Sequence, residues 1–177
     1  YVPALPEVSR SLDAPVASTQ ATLTMYFVGL ACGQLLWGPL SDRFGRKPVL
    51  TAGLLILLAS SLVAACAGSV AAIAAARVAQ GLGASSGALI GRTIVRDLYA
   101  HEQAARLLAR MTVVFSVVPV AAPLGGALLL QAGSWPSIFV AIALVSAVLL
   151  AAVWRLKETA PSERRSIHPV SIVATFA

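Results

Sequence analysis

The sequence predicts an all-α protein that spans a membrane as a bundle of helices, on three observations. Hydrophobic residues are 58% of the chain and charged residues only 11%, against about 25% charged in soluble domains, so the chain lacks the polar surface to cover its apolar one. Several windows of roughly 20 residues carry few or no charges, which suffices to cross a hydrocarbon core as helix. The basic residues collect in alternate gaps between the apolar runs, the asymmetry that orients membrane helices. The same placement argues against nucleic acid as a partner despite a net charge of +6, because no long basic face is formed.

Taken in order, residues 1–18 hold Pro3, Pro6 and Pro15 among Glu7, Arg10 and Asp13, and read as the tail of a preceding membrane helix leading into a loop. A helix is predicted over about 19–40. The polar gap Gly38 Pro39 Leu40 Ser41 Asp42 Arg43 Phe44 Gly45 Arg46 Lys47 follows, with residues 41–47 read as a short rigid loop. The next helix starts at Pro48, a residue suited to a first helical turn, and runs to about residue 67, where Gly68 and Ser69 break it. Further helices are predicted over about 70–97, 101–130 and 135–157, the last two separated by Gln131 Ala132 Gly133 Ser134. Residues 1–160 thus form one transmembrane unit of five complete helices plus the end of another. Residues 161–177 read as the start of a connector. With no initiator Met at Tyr1, no signal peptide and no polar tail, the chain is expected to be a piece of a longer protein.

Arg43, Arg46 and Lys47, then Arg92, Arg96, Arg106 and Arg110, then Arg155, Lys157, Arg164 and Arg165 occupy alternate connections. This places the loops at 41–47 and 92–106 and the carboxy-terminal end in the cytoplasm. Of the 13 basic residues only Arg10 and Arg77 lie elsewhere. Cys32 and Cys66, inside apolar runs, are expected to be small buried residues rather than a disulfide. Two distant histidines, His101 and His168, suggest no metal site, and no nucleophile–base pair or phosphate loop points to an enzyme or a cofactor. Glycines four apart at Gly29/Gly33 and Gly83/Gly87/Gly91, with Ala122/Gly126, suit closely approaching helices.

Four groups carry chemistry. Asp42 can pair with Arg43, Arg46 or Lys47, and Gly45 permits a sharp turn beside Gly38 and its neighbours. Arg77 falls roughly 9–10 Å into its helix from Val70, where a guanidinium stays charged and needs an anion or several carbonyls; Gln80 and Gly81 follow one turn on. Pro119 and Pro123, one turn apart before Gly125 and Gly126, predict a kinked helix with freed carbonyls. Asp97 can answer Arg92, Arg96 or the Arg43/Arg46 cluster, and Glu102, Arg106 and Arg110 are spaced for i,i+4 pairing.

The ordered run from Gly38 to Lys47 resembles the cytoplasmic signature of the major facilitator superfamily, which joins that family's second and third helices. Arg77 Val78 Ala79 Gln80 Gly81 resembles the Arg-x-x-Gln-Gly motif of its proton-coupled members. Pro119 Val120 Ala121 Ala122 Pro123 Leu124 Gly125 Gly126 is similar to the helix-five antiporter signature of drug exporters, with Val114 and Val118 where small residues are usual. Tyr1 Val2 Pro3 Ala4 Leu5 Pro6, the stretch Gly91–Tyr99 and Trp135 Pro136 Ser137 Ile138 Phe139, with Pro136 in place of the usual Arg, resemble the Bcr/CflA branch. In that branch an acidic residue normally precedes the tyrosine of the first helix.

The resemblance covers residues 1 to about 160 and implies the amino-terminal six-helix bundle of the major facilitator fold, its first helix truncated, with the carboxy-terminal half as the missing partner. It implies a bacterial inner-membrane antiporter that exports drugs or other lipophilic small molecules by alternating access, with the proton gradient as energy source. Arg77, Gln80 and Gly81 would serve proton coupling, and Tyr26, Gln34, Met111 and Phe115 are candidate cavity residues. The alternatives are a metabolite transporter of the same superfamily, for sugars or amino acids, and a non-transporting membrane fragment or scaffold.

Overall fold

A computed structural model describes residues 1–156 and 158–159; Lys157, Arg164, Arg165, His168 and the connector expected over 161–177 lie outside them. The described residues are all helical apart from short turns. A single 3-10 turn, Val2–Ala4, leads into α1 (Leu5–Ser11), followed by α2 (Val16–Phe44), α3 (Arg46–Ala65), α4 (Val70–Leu98), α5 (His101–Ala132) and α6 (Pro136–Trp154). Helix α2 starts at Val16 rather than near residue 19 because Pro15, extended at φ −56°, ψ 141°, stands just outside the helix, where its missing N–H costs nothing.

The polar gap is not a loop. Residues Ser41–Phe44 complete the last turn of α2, Arg46 opens α3, and Gly45 is the single non-helical residue between them. Its φ of +101° is a conformation that side chains resist. Helix α6 ends at Trp154, short of residue 157.

Helix α4 lies between α2 and α3, and α6 packs on α3. Glycines set the two closest approaches. A Cβ on Gly29 or Gly81 would run into the backbone oxygen of Val78 or Tyr26, where α2 and α4 lie side by side and parallel. For the antiparallel pair α3 and α4, a Cβ on Gly83 would run into the backbone oxygen of Gly53, and one on Gly53 into the Ser86 side chain. Trp37 bolts the α2/α4 seam by donating its Nε1–H to Leu82 O at 2.7 Å. Gly87, by contrast, has open space around it, so the stripe of four-spaced glycines on α4 is not one packing seam.

Two apolar clusters fill the ends of the bundle. One gathers Val8, Ala64, Ile73, Trp135, Ile138 and Phe139, the other Trp37, Val49, Leu50, Leu54, Ile90 and Val153. Between them sit buried hydroxyls, and these are satisfied within their own helices: Ser60 on Ile56 O, Ser61 on Leu57 O, Ser86 on Gly83 O and Ser146 on Ile142 O, all at 2.6–2.7 Å. Such back-bonding lets polar side chains occupy a dry interior.

By length and composition, α2, α3, α5 and α6 are each able to cross a membrane. Helix α4 does not meet that criterion on its own, although five crossing helices were expected. Its 29 residues include Arg77, Gln80 and four glycines, and it turns much of its surface to α2 and α3 instead of lipid, so it needs less apolar surface. Helix α5 is the opposite case: Val113, Val114, Val117, Val118, Val120, Leu124 and Leu128 are all exposed.

The cysteines differ from expectation. Both are exposed. The buried stripe of α2 runs through Gly29, Gly33 and Trp37, and Cys32 falls off it by one residue, about 100° around the helix.

Candidate functional site: two buried arginines

At one end of the bundle Arg46, only 7% exposed, joins three helices. Its Nε donates to Asp97 Oδ2 at 3.0 Å and its Nη1 to Ser41 Oγ at 2.8 Å. The same Nη1 pairs with Asp42 Oδ1, four residues back across the Gly45 break. Of the carboxylates, Asp97 is the more enclosed, its side chain 17% exposed against 51% for Asp42. A charge pair taken out of water in this way is strongly coupled: removing one partner leaves the other buried and uncompensated. Asp97, for which the sequence left Arg92, Arg96 and the Arg43/Arg46 cluster open, takes Arg46. Arg92 and Arg96 are both exposed, and neither forms an ion pair among the described residues.

The rest of the signature is looser. Arg43 stacks on the neighbouring Phe44 ring, 5.1 Å from its centroid, and Gly38 has open space on its free side. Lys47 reaches across to α6, donating its Nζ to Trp154 O at 2.9 Å. Glu158 accepts the backbone N–H groups of Arg46 and Lys47 at 2.9 and 3.2 Å. The Glu102–Arg106 pair is long, at 3.7 Å, and open to solvent.

Toward the opposite end, Arg77 is 6% exposed, with no carboxylate in ion-pair range among the described residues. Its guanidinium lies 4.8 Å from the Tyr1 ring centroid and 4.2 Å from that of Tyr26. Aromatic faces attract a cation through their quadrupole, most strongly when it is desolvated. Arg77 Nη1 donates to Gln80 Oε1 at 3.0 Å, and Gln80 Nε2 passes the chain on to Ser61 Oγ at 2.8 Å on α3. Tyr1 itself is fixed by a 2.9 Å hydrogen bond between its hydroxyl and Thr22 Oγ1. Arg77 Nε is buried without an acceptor among the described residues. Gly81 makes this packing feasible by letting α4 close onto the Tyr26 backbone of α2.

The four candidate cavity residues do not form one cluster. Tyr26 belongs to the Arg77 cage. Phe115 instead underlies Arg92, 5.5 Å from ring to guanidinium, and Met111 lies beside Gly91. Arg77 and Arg92 are about 22 Å apart along α4, so Tyr26 and Phe115 occupy different depths. Gln34 is exposed on α2. On α5, Pro119, Pro123 and Gly125 are exposed, while Gly126 is buried near Tyr1 and Pro3.

Sequence reasoning missed Ser41, Ser61, Tyr1 and Glu158 as partners. Ser61 carried a signal, a hydroxyl pair Ser60–Ser61 inside an apolar run; Glu158 carried none beyond its charge.

The family model of the Major Facilitator Superfamily matches residues 1–174. Among curated relatives, the chain is 37% identical over 168 residues to the uncharacterized MFS-type transporter YdgK of Bacillus subtilis, covering 93% of this chain and 42% of the relative. It is 33% identical over 175 residues to a bicyclomycin resistance protein homolog of Haemophilus influenzae, covering 98% of this chain and 44% of the relative. The chain therefore spans less than half the length of these relatives. Among solved structures it is similar to the human organic anion transporter MFSD10 (TETRAN), with a TM-score of 0.66 and 25% identity over 92% of this chain and 39% of that one.

Proposed function

The chain belongs to the Major Facilitator Superfamily, a family of membrane transporters, and we propose that it is the amino-terminal half of a proton-coupled exporter of lipophilic small molecules, drugs among them, in a bacterial inner membrane. The observation that carries this reading is the Arg46 cluster. One guanidinium holds the ends of α2, α3 and α4 together through two carboxylates, so it is a latch that closes one side of the bundle and opens when its charge balance changes. In an alternating-access cycle two helical halves rock about a midplane site; the latch stabilises one of the two states. The kinship with a bicyclomycin resistance protein homolog supports drug-like cargo, and the scarcity of polar side chains inside the spans supports lipophilic over sugar-like cargo.

Arg77 is the fixed cation of the scheme. Its cage of two rings and an amide holds no counter-charge among the described residues, and an acid next to Tyr1, as the family branch implies, would supply one that binds and releases a proton. Positive-inside placement puts the Arg46 end in the cytoplasm. The test is dye and drug efflux from cells and everted vesicles carrying the full-length protein. Asp42→Asn and Arg77→Ala abolish proton-driven export while membrane insertion, read by quantitative immunoblot, is unchanged. Full export in either variant overturns the scheme.

A further inference from the structure

We propose that Glu158 is a positioning residue for the Arg46 latch: its carboxylate holds the first turn of α3 where Arg46 can reach both Asp42 and Asp97. The proposal rests on reading that cluster as a latch.

The opening turn of a helix leaves its first N–H groups without partners inside the helix, and a Ser, Thr, Asp or Asn at the N-cap usually accepts one of them. Here the N-cap is Gly45, which has no side chain to offer. Glu158, four residues past the end of α6 and 112 residues along the chain from Arg46, does the work instead. Its Oε1 takes the Arg46 N–H at 2.9 Å and its Oε2 the Lys47 N–H at 3.2 Å. The seat for this carboxylate depends on Gly45: a Cβ there would stand 2.7 Å from Glu158 Oε2. A negative group at a helix N-terminus also meets the positive end of the helix dipole.

A third bond makes the joint reciprocal. Lys47 Nζ donates to Trp154 O at the end of α6, so the start of α3 satisfies α6 while the segment after α6 satisfies α3. Leu156 and Thr159 of that segment line a cavity of about 130 Å³ together with Lys47, Ile94 and Leu98, which sets the segment against the end of α4 that bears Asp97. The main chain of Arg46 is thus fixed from the α6 side and its guanidinium from the α2 and α4 sides. A pull on the segment after α6 reaches the latch through this joint, with the Glu158 carboxylate as its contact to the Arg46 main chain.

The experiment is a thiol-accessibility measurement on the detergent-solubilised full-length protein, with Cys32→Ser, Cys66→Ser and every cysteine outside residues 1–177 replaced as background and Ile94→Cys as the single reporter. Glu158→Ala raises the rate of modification by a polar maleimide about fivefold, the factor that loss of one helix cap corresponds to. Glu158→Gln, which keeps one acceptor oxygen, raises it less. Arg46→Ala raises it at least as much as Glu158→Ala, and the two combined give no further increase, because both act through the same turn. An unchanged rate in Glu158→Ala, or effects that multiply in the double variant as those of an independent structural cap would, overturns the proposal. If Glu158→Ala does not insert, Glu158→Gln decides: a rate above the parent supports the proposal and a rate equal to it refutes it. The readout needs no cargo, so a failed export assay with a positive thiol result rejects the exporter reading and leaves this one standing.

Discussion

Arg46 and Arg77 are equally buried in one small bundle, yet they are held in opposite ways. Arg46 has two carboxylates, a serine hydroxyl and charge on both sides of a helix break. Arg77 has two aromatic faces and an amide. The first arrangement is an ion pair that loses its balance when any member is neutralised. The second is a cage that stabilises a cation without neutralising it. In the proposed cycle the Arg46 end opens when its charge balance changes, and Arg77, with no carboxylate in range among the described residues, offers its positive charge to an incoming anion or carboxylate.

The comparison breaks first at Arg46. Arg46→Met strands Asp97 in a largely enclosed site and costs on the order of 3–5 kcal/mol, read as a marked fall in unfolding temperature of the detergent-solubilised full-length protein. Arg77→Met strands no carboxylate among the described residues, only Gln80, so its loss of stability is smaller, about 1–3 kcal/mol. Equal losses in the two variants would show that in the full-length protein Arg77 has a buried counter-ion, as the acid proposed beside Tyr1 would be. The two acids sharpen the contrast: Asp97→Asn destabilises more than Asp42→Asn in the same thermal assay, because Asp97 is the better shielded from water, and the reverse order would mean that Asp42 carries the latch. Tyr26→Leu removes one face of the Arg77 cage at a cost of about 1–2 kcal/mol, and Tyr26→Phe, which keeps the ring, costs measurably less. At the bottom of the scale, Glu102→Gln changes stability by less than about 0.5 kcal/mol, since that pair is long and exposed.

How far each arginine was legible in the sequence follows from distance along the chain. The singularity of Arg77 is visible in one window: a lone cation seven residues into an apolar helix, with Gln80 one turn on. Its cage is not, because Tyr1 and Tyr26 come from segments 76 and 51 residues upstream and meet it only when α2 and α4 close at Gly29 and Gly81. Asp42 and Arg46 lie four apart and invite pairing. Asp97 had several basic neighbours of its own, and only the parallel packing of α2 and α4 brings Arg46 nearer than these. The reading of residues 41–47 as a loop failed for a local reason: polar residues at a helix end remain helical when the ends of the helices are held by ion pairs, and one glycine with positive φ suffices for the reversal.

By itself the sequence determined that this protein is helical, that lipid surrounds it, and where its helices begin and end to within a few residues. Those properties depend on composition and on spacing within a turn or two of helix, which any short window contains. The tertiary structure alone decided which acid answers Arg46, what encloses Arg77, that both cysteines face outward, and that an acid beyond α6 caps the start of α3. These are pairings between residues dozens of positions apart, and their partners are chosen by which helix faces approach most closely, a matter of glycine placement and crossing geometry that no local pattern records.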